Sequence, residues 1–358
     1  MSSRRRHALS PAAAPLDDDD LLSKILLRLR PQPSSLPRAS LVCRRWHLLD
    51  SDPRFARRFR LHHRRNPPLL GFFDEGPEEI SFVPTLEPPN RVPPGRFSLK
   101  FDGGDRYVLL GCRHGLVLVY HPSWKQILVW DPVTADQHRI AVPPGFARDY
   151  GFIRIPAAVL RASGDVHFQR LENGVISSGH GFHPMLLRAR WLIDTEKPAV
   201  LFGNSLYWLL IGNMVGFLEF HLERQSLTMV WIPMDLFTKG TFDICAMRAD
   251  DGGFGFLFVL HSDDHSAQLW KRQTDCHGVA SWVLGRTIEL DKLFPLNLVD
   301  KWPFIIRGFA EDNNVVFLWT SCFFFMIHLG SLQFKKLSEA EFIFYCYPFE
   351  SVYTAGDS

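Results

Sequence analysis

The stretch SLVCRRWHLLDSDPRF sets Cys43 beside Arg44 and Arg45, two cations that would hold a thiolate and make it a nucleophile. The same stretch carries a helical period. From a cap at Ser35, Leu36, Ala39, Val42, Cys43, Trp46 and Leu49 fall on one side, and Arg38, Arg44, Arg45 and His47 on the other. A cysteine on an apolar stripe behaves as a small hydrophobe, and burial raises its pKa. No His, Asn or Asp is spaced to activate it, so Cys43 is expected to pack.

The remaining residues with chemistry in them give no reaction. His180 and His183 in SSGHGFHP have no carboxylate or cysteine at ligand spacing, and His62-His63 would need distant partners to hold a metal. Gly252-Gly253-Phe254-Gly255 lies between Asp250-Asp251 and an apolar run, which reads as a hairpin turn and not a phosphate cradle. Esterase elbow, zinc-protease, P-loop and dinucleotide signatures are missing from the sequence. No catalytic residue, metal or cofactor is expected. Arg54, Arg57, Arg58, Arg60, Arg64 and Arg65 could neutralise phosphates, but without interleaved stacking aromatics they read as the solvated face of a helix. Nucleic acid is therefore not an expected partner.

These residues sit in elements of two textures. In the first sixty residues, an acidic run, Asp17 to Asp20, precedes Leu22, Ile25, Leu26 and Leu29 at i, i+3, i+4 and i+7. That pattern predicts a helix capped and dipole-balanced by carboxylates and stopped by Pro31 and Pro33. The second helix is the one carrying Cys43. Asp52-Pro53 opens a third, with Phe55 and Phe59 on its inner side. Three short helices bury little surface, so the module is expected to complete its core against something else.

The segment LDDDDLLSKILLRLRPQPSSLPRASLVCRRWHLLDSDPRFARRF, about residues 16 to 60, resembles an F-box of the grass type, with its Ile-Leu helix, Val-Cys-x-x-Trp helix and Ser-Asp-Pro-x-Phe ending. Two positions depart from the family pattern. Asp17 replaces the proline after the first leucine, and Lys24 replaces the glutamate before the Ile-Leu pair. The resemblance implies docking to a Skp-type adaptor and, through it, to cullin and RING subunits. Carried over by position, the adaptor-binding residues are Leu16, Leu21, Leu22, Ile25, Leu26, Leu29, Pro31, Leu36, Val42 and Trp46. Some of these would also hold the helices together, and for Ile25 and Leu29 the two roles are inseparable in the sequence.

From Leu69 the chain turns to short apolar runs broken by Gly, Pro, Asp and Asn. A unit of four short strands recurs, with first turns near Gly115, Asn204, Gly253 and Asn314 and a fainter one at Gly164. A four-stranded sheet cannot cover both apolar faces by itself, and radial stacking solves this, so the spacing predicts a β-propeller. About six blades are expected, within a range of five to seven, the final FIFYCYPFESVYTA pairing with an early strand to close the ring. A pair of β-sandwiches is the alternative. The fold class is thus α+β multidomain: a tail over 1–14, a helical F-box over 15–60, a basic linker over 61–68 and a propeller-like domain over 69–358. Plant F-box proteins with such a region fit this layout by resemblance.

The 30 Phe and 10 Trp, with 25 Gly and 25 Pro, agree with strands and turns. A net charge of +2 gives no global pull towards nucleic acid or membrane, and the six scattered Cys form neither a metal cage nor a disulfide framework. The amino-terminal stretch lacks the apolar centre of a signal peptide, so cytoplasm or nucleus is the expected location. The reading that follows is a substrate receptor that holds a target protein on a propeller rim. Candidate target-binding residues are Arg113 and His114, Asp149 and Tyr150, Asp263, Asp264 and His265, and His277 in the loop from Thr274. The alternative is a propeller enzyme or carbohydrate- or ligand-binding module whose F-box only controls its turnover, which would need polar groups converging at the channel mouth.

Overall fold

The computed structural model describes residues 18–76, 78–93, 95–101, 107–142, 157–160, 192–194, 197–249, 252–261, 265–294, 303–320, 323–339 and 346–354. They divide into two compact units, one of residues 18–65, 88–90 and 352–354, the other of the remainder.

The first unit holds four short helices, α1 Asp19–Leu26, α2 Ser35–Ser40, α3 Arg44–Asp50 and α4 Pro53–His63. Asp18 caps α1, its carboxylate accepting from the amides of Asp20 and Leu21 at 2.8 and 3.4 Å. Asp52 caps α4 through the Arg54 amide at 3.0 Å, with Pro53 in the first turn, where its missing N–H costs nothing. Asn90 returns to the helices and accepts from both the amide and the hydroxyl of Ser34, at 3.2 and 2.7 Å. Leu22, Leu26, Leu36, Phe55, Phe59 and Val352 form the core.

The single second helix expected from the period is two. The chain leaves helical geometry after Ser40, whose hydroxyl bonds back to the Pro37 carbonyl at 2.7 Å, and Cys43 is extended at φ −163°, ψ 166° before α3 begins. The break resets the helical phase. It turns Leu41 and Val42 outward, 83% and 63% exposed, and Cys43 with them. The expectation that Cys43 packs is overturned for that reason.

The second unit is a propeller of five blades among the described residues. Blade 1 is β1 Leu69–Glu75, β2 Glu79–Pro84, β3 Leu99–Lys100 and β21 Tyr347–Glu350; blade 2 is β4 Val108–Arg113, β5 Leu116–His121, β6 Gln126–Trp130 and β7 Gln137–Ala141. Blade 3 is β8 Leu192–Ile193, β9 Val200–Phe202, β10 Ser205–Ile211, β11 Gly216–His221 and β12 Ser226–Trp231. Blade 4 is β13 Phe242–Arg248, β14 Phe254–Leu260, β15 Ser266–Thr274 and β16 Ala280–Glu289, and blade 5 is β17 Ile305–Ala310, β18 Val315–Trp319, β19 Phe323–His328 and β20 Phe334–Glu339. Five is the lower bound of the expected range of five to seven, and the faint turn at Gly164 lies outside the described residues.

Each blade buries its faces against two neighbours, which a sandwich pair does not do. Phe217 of blade 3 packs with Phe254 and Phe256 of blade 4, Leu269 and Ile288 of blade 4 with Phe325 and Ile327 of blade 5, and Phe317 and Phe324 of blade 5 with Phe72 of blade 1. The Phe73 ring meets Trp130 of blade 2 at 5.5 Å. Residues 157–160 lie between blades 2 and 3, Ala157 and Val159 packing on the first, Ala158 and Leu160 on the second.

The closing strand is the one expected. β21 pairs antiparallel with β1, Phe73 opposite Tyr347 and Leu69 opposite Glu350. Glycine is required on both sides of it. A Cβ at Gly71 would stand 2.2 Å from the Val83 carbonyl oxygen, and one at Gly308 of blade 5 would stand 2.4 Å from that of Cys346. Hairpins use the turns the sequence signals. His114 and Gly115 both have positive φ, 53° and 73°, as a two-residue type I′ turn requires.

Candidate functional site

Two surfaces are candidates, one in each unit. On the helices, the candidate adaptor-binding residues separate by depth. Leu22, Leu26 and Leu36 are 1% exposed or less and hold the helices together, while Leu29, Pro31 and Trp46 are half-buried. Leu21 and Ile25, each 37% exposed, and Val42 face solvent. Leu41 and Leu48, the latter 60% exposed, join them and were missed by the periodicity, which assumed an unbroken helix. Leu16 lies outside the described residues. Large apolar side chains this exposed leave water only when another surface covers them.

The charge on α3 and α4 is mostly positive, whereas exposed Asp18, Asp19 and Asp20 directly precede Leu21. Arg44 follows Cys43 directly, and Arg54, Arg57, Arg58, Arg64 and Arg65 lie on the exposed side of α4 and just past its end. Arg45 pairs with Asp19 at 2.7 Å, which ties α3 to α1, and Arg58 donates to the Ser23 hydroxyl at 3.2 Å. His63 donates from Nε2 to the Leu27 carbonyl at 2.8 Å, and desolvation lowers its pKa. It is a brace for the helices. No metal-binding group of His, Cys, Asp or Glu exists among the described residues.

In the second unit, polar groups from several blades meet at the ring's centre. Arg113, at the end of β4, pairs with Glu311 of blade 5 and donates to the Ala199 carbonyl of blade 3. Glu311 also accepts from the Leu201 amide at 3.1 Å. Glu350 accepts from the Asp312 and Asn313 amides at 3.2 and 2.7 Å and from the Asn313 side chain at 2.8 Å. Lys197 pairs with Asp243 and donates to the Ile244 carbonyl at 2.6 Å; Asp243 accepts the Ile306 amide at 2.6 Å, joining blade 4 to blade 5.

The electrostatics follow from this packing. Desolvation works against the Lys197 charge, but Asp243, Cys245 and Asp194 together outweigh it and the net pKa is raised. Desolvation, then repulsion from Asp312, pushes Glu350 up to about 7. Burial pushes Cys245 up to about 12 and raises Cys112 and Cys346, so these thiols stay protonated and are poor nucleophiles. The convergence that a propeller enzyme would need is present, but its members are largely spent on each other. No local sequence signal marks them, because their partners lie in other blades.

Of the candidate target-binding residues, the described ones, Arg113, His114, His265 and His277, stand in different places. Arg113 is 8% exposed and serves the centre. His114 is in the β4–β5 turn. His265 and His277 stand at opposite ends of β15, His265 against the Phe304 ring at 5.9 Å and His277 exposed at a hairpin tip. Asp149, Tyr150, Asp263 and Asp264 lie outside the described residues, as do His180 and His183. Gly252 forms the expected hairpin turn between β13 and β14, at φ 79°.

Among known protein families, one matches the first unit. The F-box-like family model matches residues 19–62, which span all four helices. No curated protein matches the chain. Among solved structures, the β-propeller domain of Cps50 (Swd1) from Myceliophteria thermophila aligns at 9% identity and a TM-score of 0.26, covering 75% of this chain and 69% of that one. The WD40 domain of SCAP from fission yeast aligns at 8% identity and a TM-score of 0.24, covering 70% and 44%. At those scores the fold rests on the chain's own strand pairing. The molecule thus carries an F-box-like helical domain and a propeller with five blades among the described residues.

Proposed function

We propose that the chain is a substrate-recognition subunit of a Skp-cullin-F-box ubiquitin ligase. The observation that carries this is the solvent-facing set Leu21, Ile25, Leu41, Val42 and Leu48 within the stretch matched as F-box-like. The helices dock the adaptor and the propeller binds a target protein. Ubiquitin transfer is the work of the RING and its conjugating enzyme, and this chain supplies proximity and orientation. A plant origin, an F-box-associated character for the β unit, and a cytoplasmic or nuclear location are parts of the same proposal. The mutual pairing of the central polar groups favours a binding scaffold over an enzyme or carbohydrate-binding module.

Co-expression with a Skp-type adaptor tests it. Stable co-purification with the wild type, lost in Val42→Asp with the melting temperature kept, supports the reading. If neither wild type nor Asp17→Pro retains the adaptor, the ligase assignment fails.

A further inference from the structure

The β15–β16 hairpin of blade 4 outgrows its sheet. β14 pairs with β15 only as far as Lys271, and the last three ladder pairs, Arg272 with Trp282, Gln273 with Ser281 and Thr274 with Ala280, have no third strand. A two-stranded ribbon is marginal alone in water. This one is held at both ends. At the tip, the Asp275 carboxylate accepts the amides of His277 and Val279 at 2.9 and 2.8 Å. At the stem, the Trp282 indole donates to the Trp231 carbonyl of blade 3 at 2.7 Å, and its ring meets Phe256 at 4.8 Å.

The outer strand of this arm is an open edge of unusual composition. Ala280-Ser281-Trp282-Val283-Leu284 carries no charge and no proline, and Gly285 then bulges between Leu284 and Arg286 and ends the regular edge. Proteins usually blunt such edges with charge or bulges, because the unpaired backbone N–H and C=O groups recruit another strand. The other outer strands follow that rule: β7 carries His138 and Arg139, β20 carries Lys335 and Lys336, and β3 is two residues long. β12 is uncharged, but its Trp231 carbonyl is taken by Trp282. On β16, Val283 and Leu284 remain 38% and 43% exposed, and Val279 at the tip 61%.

We infer that the edge Ala280 to Leu284 is where the target engages the propeller, by adding an extended, uncharged segment of about five residues as a further strand of blade 4. Backbone donors and acceptors supply the affinity. The exposed Val283 and Leu284 side chains select apolar or β-branched residues opposite them, and a charged residue there would meet no counter-ion on the edge. This rests on the receptor reading given above and gives its target a chemistry.

The test selects displayed random dodecapeptides on the full chain and uses the tightest one, synthesised, as the probe. The expected result is slowed amide exchange at residues 280–284 with the probe bound. Ser281→Pro and Leu284→Lys should each weaken binding tenfold or more with the melting temperature unchanged. Protection elsewhere, indifference to both substitutions, or no selected peptide would overturn the inference. So would concentration-dependent protection of 280–284 without probe, which would make a second copy of the chain the occupant. Adaptor co-purification is read on the same variants. Its loss in the wild type sinks the ligase reading whatever the edge does, and its retention with an inert edge sinks only this inference.

Discussion

Arg113 and Glu311, 198 residues apart in the chain, form an ion pair that joins blade 2 to blade 5 past the blade between them. The Ala199 carbonyl and the Leu201 amide bring blade 3 into the same group. The centre of the ring is therefore braced across its width as well as round its circumference.

Breaking the brace on one side leaves a partly buried charge without its partner. Arg113→Ala should cost about 3 kcal/mol in chemical denaturation, the lower end for disrupted buried pairs. Adding Glu311→Gln should recover part of that loss. If the single variant melts like the wild type, the pair is not bracing the ring.

The helical surface predicts a separation of two effects. Leu41→Asp and Val42→Asp should lower adaptor affinity about tenfold or more, a difference near 1.4 kcal/mol, while leaving the melting temperature in place. Leu26→Asp should lose binding by unfolding, because that side chain is 1% exposed and sits in the helical core. Circular dichroism beside a pull-down distinguishes the two.

Thiol accessibility checks the helix break. Cys43 and Cys276 are exposed and should react with a maleimide in the folded chain; Cys346 is buried and should react only after denaturation. Adaptor binding should protect Cys43 and leave Cys276 reactive. Protection of neither would place the docking surface elsewhere on the helices.

Glu350 predicts a pH dependence at the seam between blades 1 and 5. Its pKa is raised from 4.5 to about 7 in the fold, so the folded state binds its proton more tightly than the unfolded state does. Its contribution to stability is complete below 4.5 and is lost as pH rises through about 7. The wild type should lose melting temperature relative to Glu350→Gln between those values. Parallel curves for the two proteins would refute the assignment.

The sequence carried much of the β unit because strand and turn signals are local. Turns at Gly115, Asn204, Gly253 and Asn314 lie where the glycines and asparagines put them, each in a blade of its own. The closing strand was legible too, since an apolar run left over at the end needs a sheet. The break at Leu41 to Cys43 was not. Apolar period alone continues through it, and no strong capping residue stands at position 43. The central pairs were also hidden, because Arg113, Glu311, Lys197 and Asp243 acquire partners only when distant blades meet. Blade number depends on the count of such meetings, and the five blades among the described residues stand at the lower bound of the expected range.

Residues 347–352 serve both units: Tyr347–Glu350 is a strand of blade 1, and Val352 fills the core of the helices. During synthesis the helices, complete in sequence at His63, must therefore wait for roughly 290 further residues, about 15–60 s at ribosomal speed, before that core can be finished. Throughout the interval their apolar side chains are open to chaperones. A nascent chain stalled within the propeller would leave that core without Val352, so the helical unit is completed only after the closing strand has been made.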